Sequence, residues 1–152
     1  MRLPRIAWRW MHVSRVPYAR NPNAPLSRIV LLLTTVGRKS GRPRVTPLQY
    51  EEVDGVLYVA SARGTRADWY RNLAACPRAT VQVGAERIPV RAELIVDPSR
   101  IADFLELRLK RHPLMVGLIM LGDGIPPRPA RRRLEQYAAR LALVALYRVP
   151  DE

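Results

Sequence analysis

The chain has one cysteine, Cys76, two histidines, His12 and His112, and one phenylalanine, Phe104, in 152 residues. A single cysteine excludes an internal disulfide and a multi-cysteine metal site, and it leaves a reducing compartment permitted. Two scattered histidines with one cysteine do not make the ligand set of a zinc or iron centre. No apolar run reaches the roughly eighteen residues of a spanning helix. The N-terminus has neither an apolar core nor a small-residue cleavage site of a secretory signal, so a cytoplasmic location is expected. Acidic residues are also scarce. None precedes Glu51, whereas ten Arg and Lys do.

What is abundant is positive charge: 26 Lys and Arg against 13 Asp and Glu, a formal net charge of +13. An anionic partner is expected, and nucleic acid, an anionic membrane surface and a small polyanion all qualify. Most of the early cations are arginines, whose planar fork grips carboxylate and phosphate at two points. An arginine-rich genome would give the same bias without any functional cause. Four cations crowd one turn, "TTVGRKSGRPRVTP", where Arg38, Lys39, Arg42 and Arg44 separate two apolar runs.

The length suits a single domain, residues 1–152. Residues 1–16 place Leu3, Ile6, Trp10 and Val13 at helical spacing among Arg2, Arg5, Arg9 and Arg15, the pattern of a basic amphipathic helix. "RIVLLLTT", "RVTPLQYEEV" and "VLYVAS" read as strands, the last two joined by an Asp54-Gly55 hairpin turn. "ADWYRNLAACP" reads as a short helix capped by Asp68, with Trp69, Leu73 and Cys76 on one buried face. "ATVQV" and "RIPVRAELIV" make another hairpin about Gly84-Ala85. Asp97-Pro98 then opens a helix whose inner side carries Ile101, Phe104, Leu105 and Leu109. "PLMVGLIMLGDGIPPRP" is an apolar segment broken by Gly and Pro, and "ARRRLEQYAAR" is a helix. "LALVALYRV" either extends that helix or supplies a last strand. Five or six short strands with small helices between them indicate an α+β closed or partly closed antiparallel barrel, because a doubly wound sheet needs a helix after each strand.

The chain's own reactive groups are few. Gly37-Arg38-Lys39-Ser40 lacks the upstream glycine and following helix of a phosphate-binding P-loop. His12 and His112 have no paired nucleophile motif nearby and are expected at the surface. Glu51 and Glu52 are strand neighbours and face opposite ways, so they cannot converge on one substrate. If the protein is an enzyme, a bound organic cofactor should carry the chemistry.

The segments "LLLTTVGRKSGRPRVTPLQY", "YVASARG" and "DWYRNLAACPRATVQV" resemble the deazaflavin-dependent nitroreductase and quinone-reductase family. These are split β-barrel proteins related in fold to flavin-binding pyridoxamine-phosphate oxidases. The similarity runs from about Ile29 to Leu94 and rests most on Thr-x-Gly-Arg-Lys-Ser-Gly-x-Pro-Arg and Trp-Tyr-x-Asn-Leu. It implies a split barrel of about six antiparallel strands with short flanking helices. It also implies coenzyme F420 as cofactor, with FMN as the second choice because fold relatives use it.

By this resemblance Arg38, Lys39 and Ser40 meet the coenzyme's phosphodiester and glutamate tail, and Arg44 joins them from the next strand. Thr46, Pro47 and Gln49 run beside the deazaflavin. Ala60, Ser61, Ala62, Arg63 and Gly64 form the loop at the ring and phosphate, and Trp69, Tyr70 and Asn72 close the pocket. Ser61 is the candidate catalytic group, hydrogen-bonding the acceptor or the ring. The implied reaction is hydride transfer from reduced F420 to a small-molecule acceptor: quinone-like, nitro or activated alkene. Tyr137 and Tyr147 do not match the family's late tyrosines over the substrate, and Gln49 stands where some members have Tyr.

A carrier of deazaflavin or lipid on the same barrel is the alternative. A nucleic-acid-binding role is disfavoured by the lone phenylalanine and the lack of an aromatic-basic strand motif. Residues 1–16 are expected either to lid the barrel mouth or to rest on an anionic membrane, and the protein to be a monomer or homodimer.

Overall fold

The computed structural model describes residues 29–150; the basic helix expected over residues 1–16, with His12, lies outside the described residues. Branched apolar residues with alternating burial build the first hairpin, β1 (Val30–Val36) and β2 (Pro43–Val53), in a register that sets Val30 opposite Gln49 and Val36 opposite Pro43. β2 turns into β3 (Val56–Ser61) through Asp54-Gly55, with φ of 51° and 79°. Positive φ at both central residues is what a two-residue type I′ turn requires, and Asp-Gly supplies it at little cost. After a 3₁₀ turn (Gly64–Arg66) come α1 (Asp68–Ala75), β4 (Arg78–Val83) and β5 (Glu86–Ile95). Three helices follow, α2 (Pro98–Arg111), α3 (Pro113–Gly122) and α4 (Arg131–Ala138), then β6 (Ala142–Arg148).

The strands close in the order β1-β2-β3-β6-β5-β4, with β4 pairing back to β1, every pair antiparallel. This is the expected split barrel of six strands. "LALVALYRV" is therefore the last strand, inserted between β3 and β5. Its residues Ala142 to Leu146 are all buried, since one face looks into the barrel and the other onto the helices. A strand covered on both sides reads as a continuous apolar run, which is why its sequence did not alternate.

Two apolar cores result. Leu31, Leu33, Leu57, Val59, Leu73, Val81, Val90, Val144 and Leu146 fill the barrel together with Trp69 and Tyr70. Ile95, Ile101, Phe104, Leu105, Val116, Met120, Leu134, Leu143 and Ala145 seal the helices against its outside. Asp97 caps α2 as expected, its Oδ1 accepting from Ser99 N–H at 3.0 Å with Pro98 at the first helical position. The broken apolar segment after His112 forms a continuous ten-residue helix, α3, ended by Gly122 and Asp123-Gly124. Arg131 fastens α4 to α2, with its guanidinium within 3.1 Å of Asp103, Glu106 and Glu135 and donating to Ser99 O at 2.8 Å. Hydrogen bonds to Glu106, then Glu135 and Asp103, hold that guanidinium even further above its ordinary pKa.

Two expectations are corrected. Asp68 does not cap α1: Ala67 occupies the cap position without a side-chain bond, and the Asp68 carboxylate turns to Arg38. Cys76 is not core. It is the extended residue ending α1 (φ −140°, ψ 105°), half-buried, with Sγ 3.9 Å from Arg78 O.

Because Leu146 is wholly buried in the barrel, Leu146→Ala should cost about 2–5 kcal/mol by lost transfer energy and the cavity left behind. Leu118→Ala, at a mostly exposed position of α3, should change stability by no more than about 0.5 kcal/mol. Denaturant unfolding of the two variants checks the contrast.

Candidate functional site

The β1–β2 turn owes its shape to two glycines. Gly37 N–H donates to Arg42 O at 2.8 Å and Gly41 N–H to Gly37 O at 2.7 Å. Gly41 takes φ +70°, and a Cβ on Gly37 would stand 2.8 Å from Ser40 Oγ and 3.1 Å from Arg42 O. The turn is therefore closed to larger residues at Gly37, and Ser40 Oγ is used inside it, accepting from Arg42 N–H at 3.2 Å. Lys39, Ser40, Arg42 and Arg44 are exposed, and the turn contains no carboxylate.

Arg38 differs from its neighbours. Its backbone N–H donates to Asn72 Oδ1 at 3.2 Å and its Nη1 to the same oxygen at 3.0 Å. Its Nη2 lies 3.1 Å from Asp68 Oδ1. Asn72, only 4% exposed, completes the link by donating from Nδ2 to Thr35 Oγ1 at 3.2 Å, and Thr35 hydroxyl faces Arg44 O at 3.5 Å. The side chain of one α1 residue thus ties the end of β1 to the cationic turn. Beside it Trp69 and Tyr70 are buried edge to face, ring centroids 6.3 Å apart, and burial pushes the Tyr70 hydroxyl above its ordinary pKa.

The strand residues separate by face. Directly opposed residues of an antiparallel pair share a side. Arg44 opposite Thr35 and Thr46 opposite Leu33 therefore lie on the side of the barrel interior, while Pro47 opposite Leu32 and Gln49 opposite Val30 lie on the other. Ser61 shares the inner face with Leu57 and Val59; it is 3% exposed, and its Oγ has no hydrogen-bond partner among the described residues. Ala60 packs toward the helices, and Ala62 and Arg63 are exposed. Gly64, at φ +59°, is pressed so close to the α4–β6 junction that a Cβ would stand 2.9 Å from Arg140 O. The structure brings Arg38, Asn72 and the exposed cations together. It places Gln49 elsewhere, in a second polar cluster.

That cluster centres on Glu51, whose side chain is 6% exposed. Its carboxylate meets Arg108 Nε at 3.4 Å, Arg111 Nη1 at 3.1 Å and His112 Nε2 at 3.1 Å, and Arg108 Nη2 donates to Gln49 Oε1 at 2.7 Å. Burial lowers the Arg108 pKa, and the Glu51 carboxylate opposes the shift. His112, expected at the surface, is instead half-buried at the junction of α2 and α3, drawn in by Glu51. Glu52 is exposed, in line with the expected opposite facing of Glu51 and Glu52. The signal for this cluster was present as Arg108, Arg111 and His112 at helical i, i+3, i+4 spacing. What the sequence could not supply was the strand that α2 docks on.

The two late tyrosines are both engaged by carboxylates. Tyr137 hydroxyl donates to Asp123 Oδ2 at 2.6 Å, and burial, assisted by that carboxylate, pushes its pKa up. Tyr147 hydroxyl donates to Glu93 Oε2 at 2.9 Å, a bond that, with Arg100, holds the Glu93 carboxyl below its ordinary range. Two shallow cavities of about 220 and 240 Å³, beside Tyr137 and between Tyr58 and Phe104, are lined by none of the residues expected at the cofactor.

A six-stranded antiparallel barrel of this topology, flanked by short helices, defines a split-barrel protein. Residues 17–113 match the family model described as F420H(2)-dependent quinone reductase, and the chain belongs to that family. Coenzyme F420 is the cofactor the family implies. The chain is 43% identical over 77 residues to the F420H(2)-dependent quinone reductase Rv1261c of Mycobacterium tuberculosis, which covers 49% of this chain and 50% of that protein. The chain spans about half the length of the curated relatives it matches. The fold is similar to that of an F420-H2 dependent reductase (TM-score 0.51, 22% identity, covering 78% of this chain and 94% of the other). It is also similar to a Listeria innocua protein described as a pyridoxamine 5′-phosphate oxidase (TM-score 0.54, 15% identity, 80% and 84% covered).

Asn72→Leu removes the acceptor of Arg38 and the partner of Thr35 while keeping a similar volume. It should lower stability by about 1–3 kcal/mol, the range for buried polar groups left unpaired. Urea unfolding of Asn72→Leu beside wild type tests this, and an unchanged midpoint would show that the link holds nothing.

Proposed function

We propose that this protein binds reduced coenzyme F420 and passes its hydride to a quinone-like acceptor, with nitro compounds and activated alkenes as further acceptors. The observation that carries this reading is the β1–β2 turn: exposed Lys39, Arg42 and Arg44 on a backbone fixed by Gly37 and Arg38, with no carboxylate in the turn itself. A phosphodiester and a tail of glutamate carboxylates need several charge-assisted donors that remain partly solvated, and this donor set fits them. When bound, the reduced deazaflavin supplies a two-electron hydride; the protein contributes position, charge and shelter.

On this reading Lys39, Arg42 and Arg44 take the tail, and Ser40 shapes the turn that presents them. Arg38 acts as a positioning residue through Asn72 and offers the tail only the part of its guanidinium held by the exposed Asp68 carboxylate. Trp69 and Tyr70 wall the site and exclude water. The backbone of Ala60 to Gly64, held by the close approach of Gly64 to Arg140, flanks the ring. Pro47 and Gln49 line one side of β2 and Thr46 the other. The inward Ser61 hydroxyl, unpartnered among the described residues, is a donor available to the ring or the acceptor. Among the described residues no helix is long and apolar enough to cross a membrane.

Fluorescence titration with F420 and with FMN tests the cofactor: F420 should bind, and tight FMN binding with no F420 binding would overturn the reading. Lys39→Ala with Arg42→Ala should weaken F420 binding by about 2–4 kcal/mol, from two charge-assisted hydrogen bonds reduced by solvent screening. The loss should shrink as the glutamate tail is shortened, and affinity independent of tail length would remove the tail-binding role.

A further inference from the structure

Helix α3 carries no polar side chain in its ten residues, "PLMVGLIMLG", yet only Val116 and Met120 are buried. Leu114 is 80% exposed, Leu118 67%, Leu121 51% and Ile119 47%. Leu114, Leu118 and Leu121 recur at i, i+4, i+7 and form one stripe, with Val116 and Met120 on the opposite side in the helical core. Single exposed leucines need no explanation, but a contiguous apolar face on a helix marks a contact surface. Cations outnumber carboxylates in the sequence around it. Between Leu107 and Ala130 the only carboxylate is Asp123, already taken by Tyr137 at 2.6 Å. Lys110 before the helix, and Arg128, Arg132 and Arg133 after it, are exposed, whereas Arg111 is held by Glu51.

We infer that α3 is a docking surface for an anionic lipid bilayer, lying flat at the interface with the leucine stripe among the upper acyl chains and the flanking cations at the headgroups. A helix of this length reaches only about 15 Å along its axis, so it lies on a bilayer and does not span it. Charge selects this occupant over a second copy of the chain. A two-fold contact through α3 would bring each cation patch against its own image, whereas acidic headgroups attract the patch. One short apolar face alone gives weak, reversible attachment, so the electrostatic share makes the attachment salt-dependent.

The test is co-sedimentation of the full chain with vesicles of phosphatidylcholine alone and of phosphatidylcholine doped with phosphatidylglycerol. Wild type should sediment with the anionic vesicles, not with the neutral ones, and less as salt rises. Leu114→Glu with Leu118→Glu, both at exposed positions, should cut the bound fraction by about tenfold or more with an unchanged thermal midpoint. Lys110→Glu with Arg128→Glu should cut it as well. No sedimentation of wild type at low salt overturns the proposal. So does undiminished binding of the double-leucine variant, which would assign attachment to net charge or to residues 1–16. A wild-type dimer that ignores vesicles and is made monomeric by the double-leucine change would name a second copy as the occupant and also overturn it.

Discussion

The described residues are arranged around a strand buried on both faces. Ala142, Val144 and Leu146 belong to the barrel interior, while Leu143 and Ala145 belong to the core beneath the helices. The same strand supplies the hydrogen bonds that join β3 to β5. Without it the sheet would keep two unpaired edges and the helices would have nothing to cover. The positions of α2 and α4, and of Val116 and Met120 on α3, follow, since these apolar side chains are buried only on the outer face that β6 completes. The 3₁₀ turn follows too, because Gly64 rests on the carbonyl of Arg140 just before that strand.

A chain with so large an excess of cations needs fixed points that hold arginines in place, and a few well-placed acceptors provide them. Glu51 gathers two arginines of α2 and the histidine that follows them, and so docks α2 on β2. A buried charge deprived of its partner is far more costly than an exposed one, which makes this contact a strong locator of the helix even if its net stabilisation is small. Arg131 does the converse: one cation collects carboxylates from α2 and α4, at the surface. Asn72 uses an uncharged amide to fix Arg38, and this leaves the rest of the turn free of acidic groups that would compete for its cations. Cations committed to structure are thus distinguished from the exposed cations of the turn by what stands next to them.

Much of the barrel could be read from local chemistry. Asp54-Gly55, Gly84-Ala85 and Asp97-Pro98 each announce a turn or cap by residue type, and the strands between them are short and branched. β6 was ambiguous because burial on both faces erases the two-residue alternation that identifies a half-buried strand. Asp68 and Cys76 were misplaced for a related reason: an N-terminal Asp and a helix-face Cys carry the local signal of a cap and a core residue, but Arg38 and the extended end of α1 decide where they go. Within the candidate site, the turn and the Trp-Tyr-x-Asn helix were legible as motifs, and Asn72 brings them into contact. The division of Thr46 from Pro47 and Gln49 follows from the strand period alone. The Glu51 cluster was out of reach, because its members lie on two elements whose docking no local pattern encodes.

The pairing of Tyr58 with Ala145 joins segments made far apart in time as the chain is synthesised. Until the last strand leaves the ribosome, β3 and β5 present open edges and the inner face of the barrel is uncovered. Closure by so distant a segment relies on contacts of long sequence separation, the kind that slows folding. Before β6 is in place, the nascent chain holds the residues of five strands and neither core is complete. Its exposure to misassembly is greatest there, when a free strand from a neighbouring chain could take the place reserved for β6.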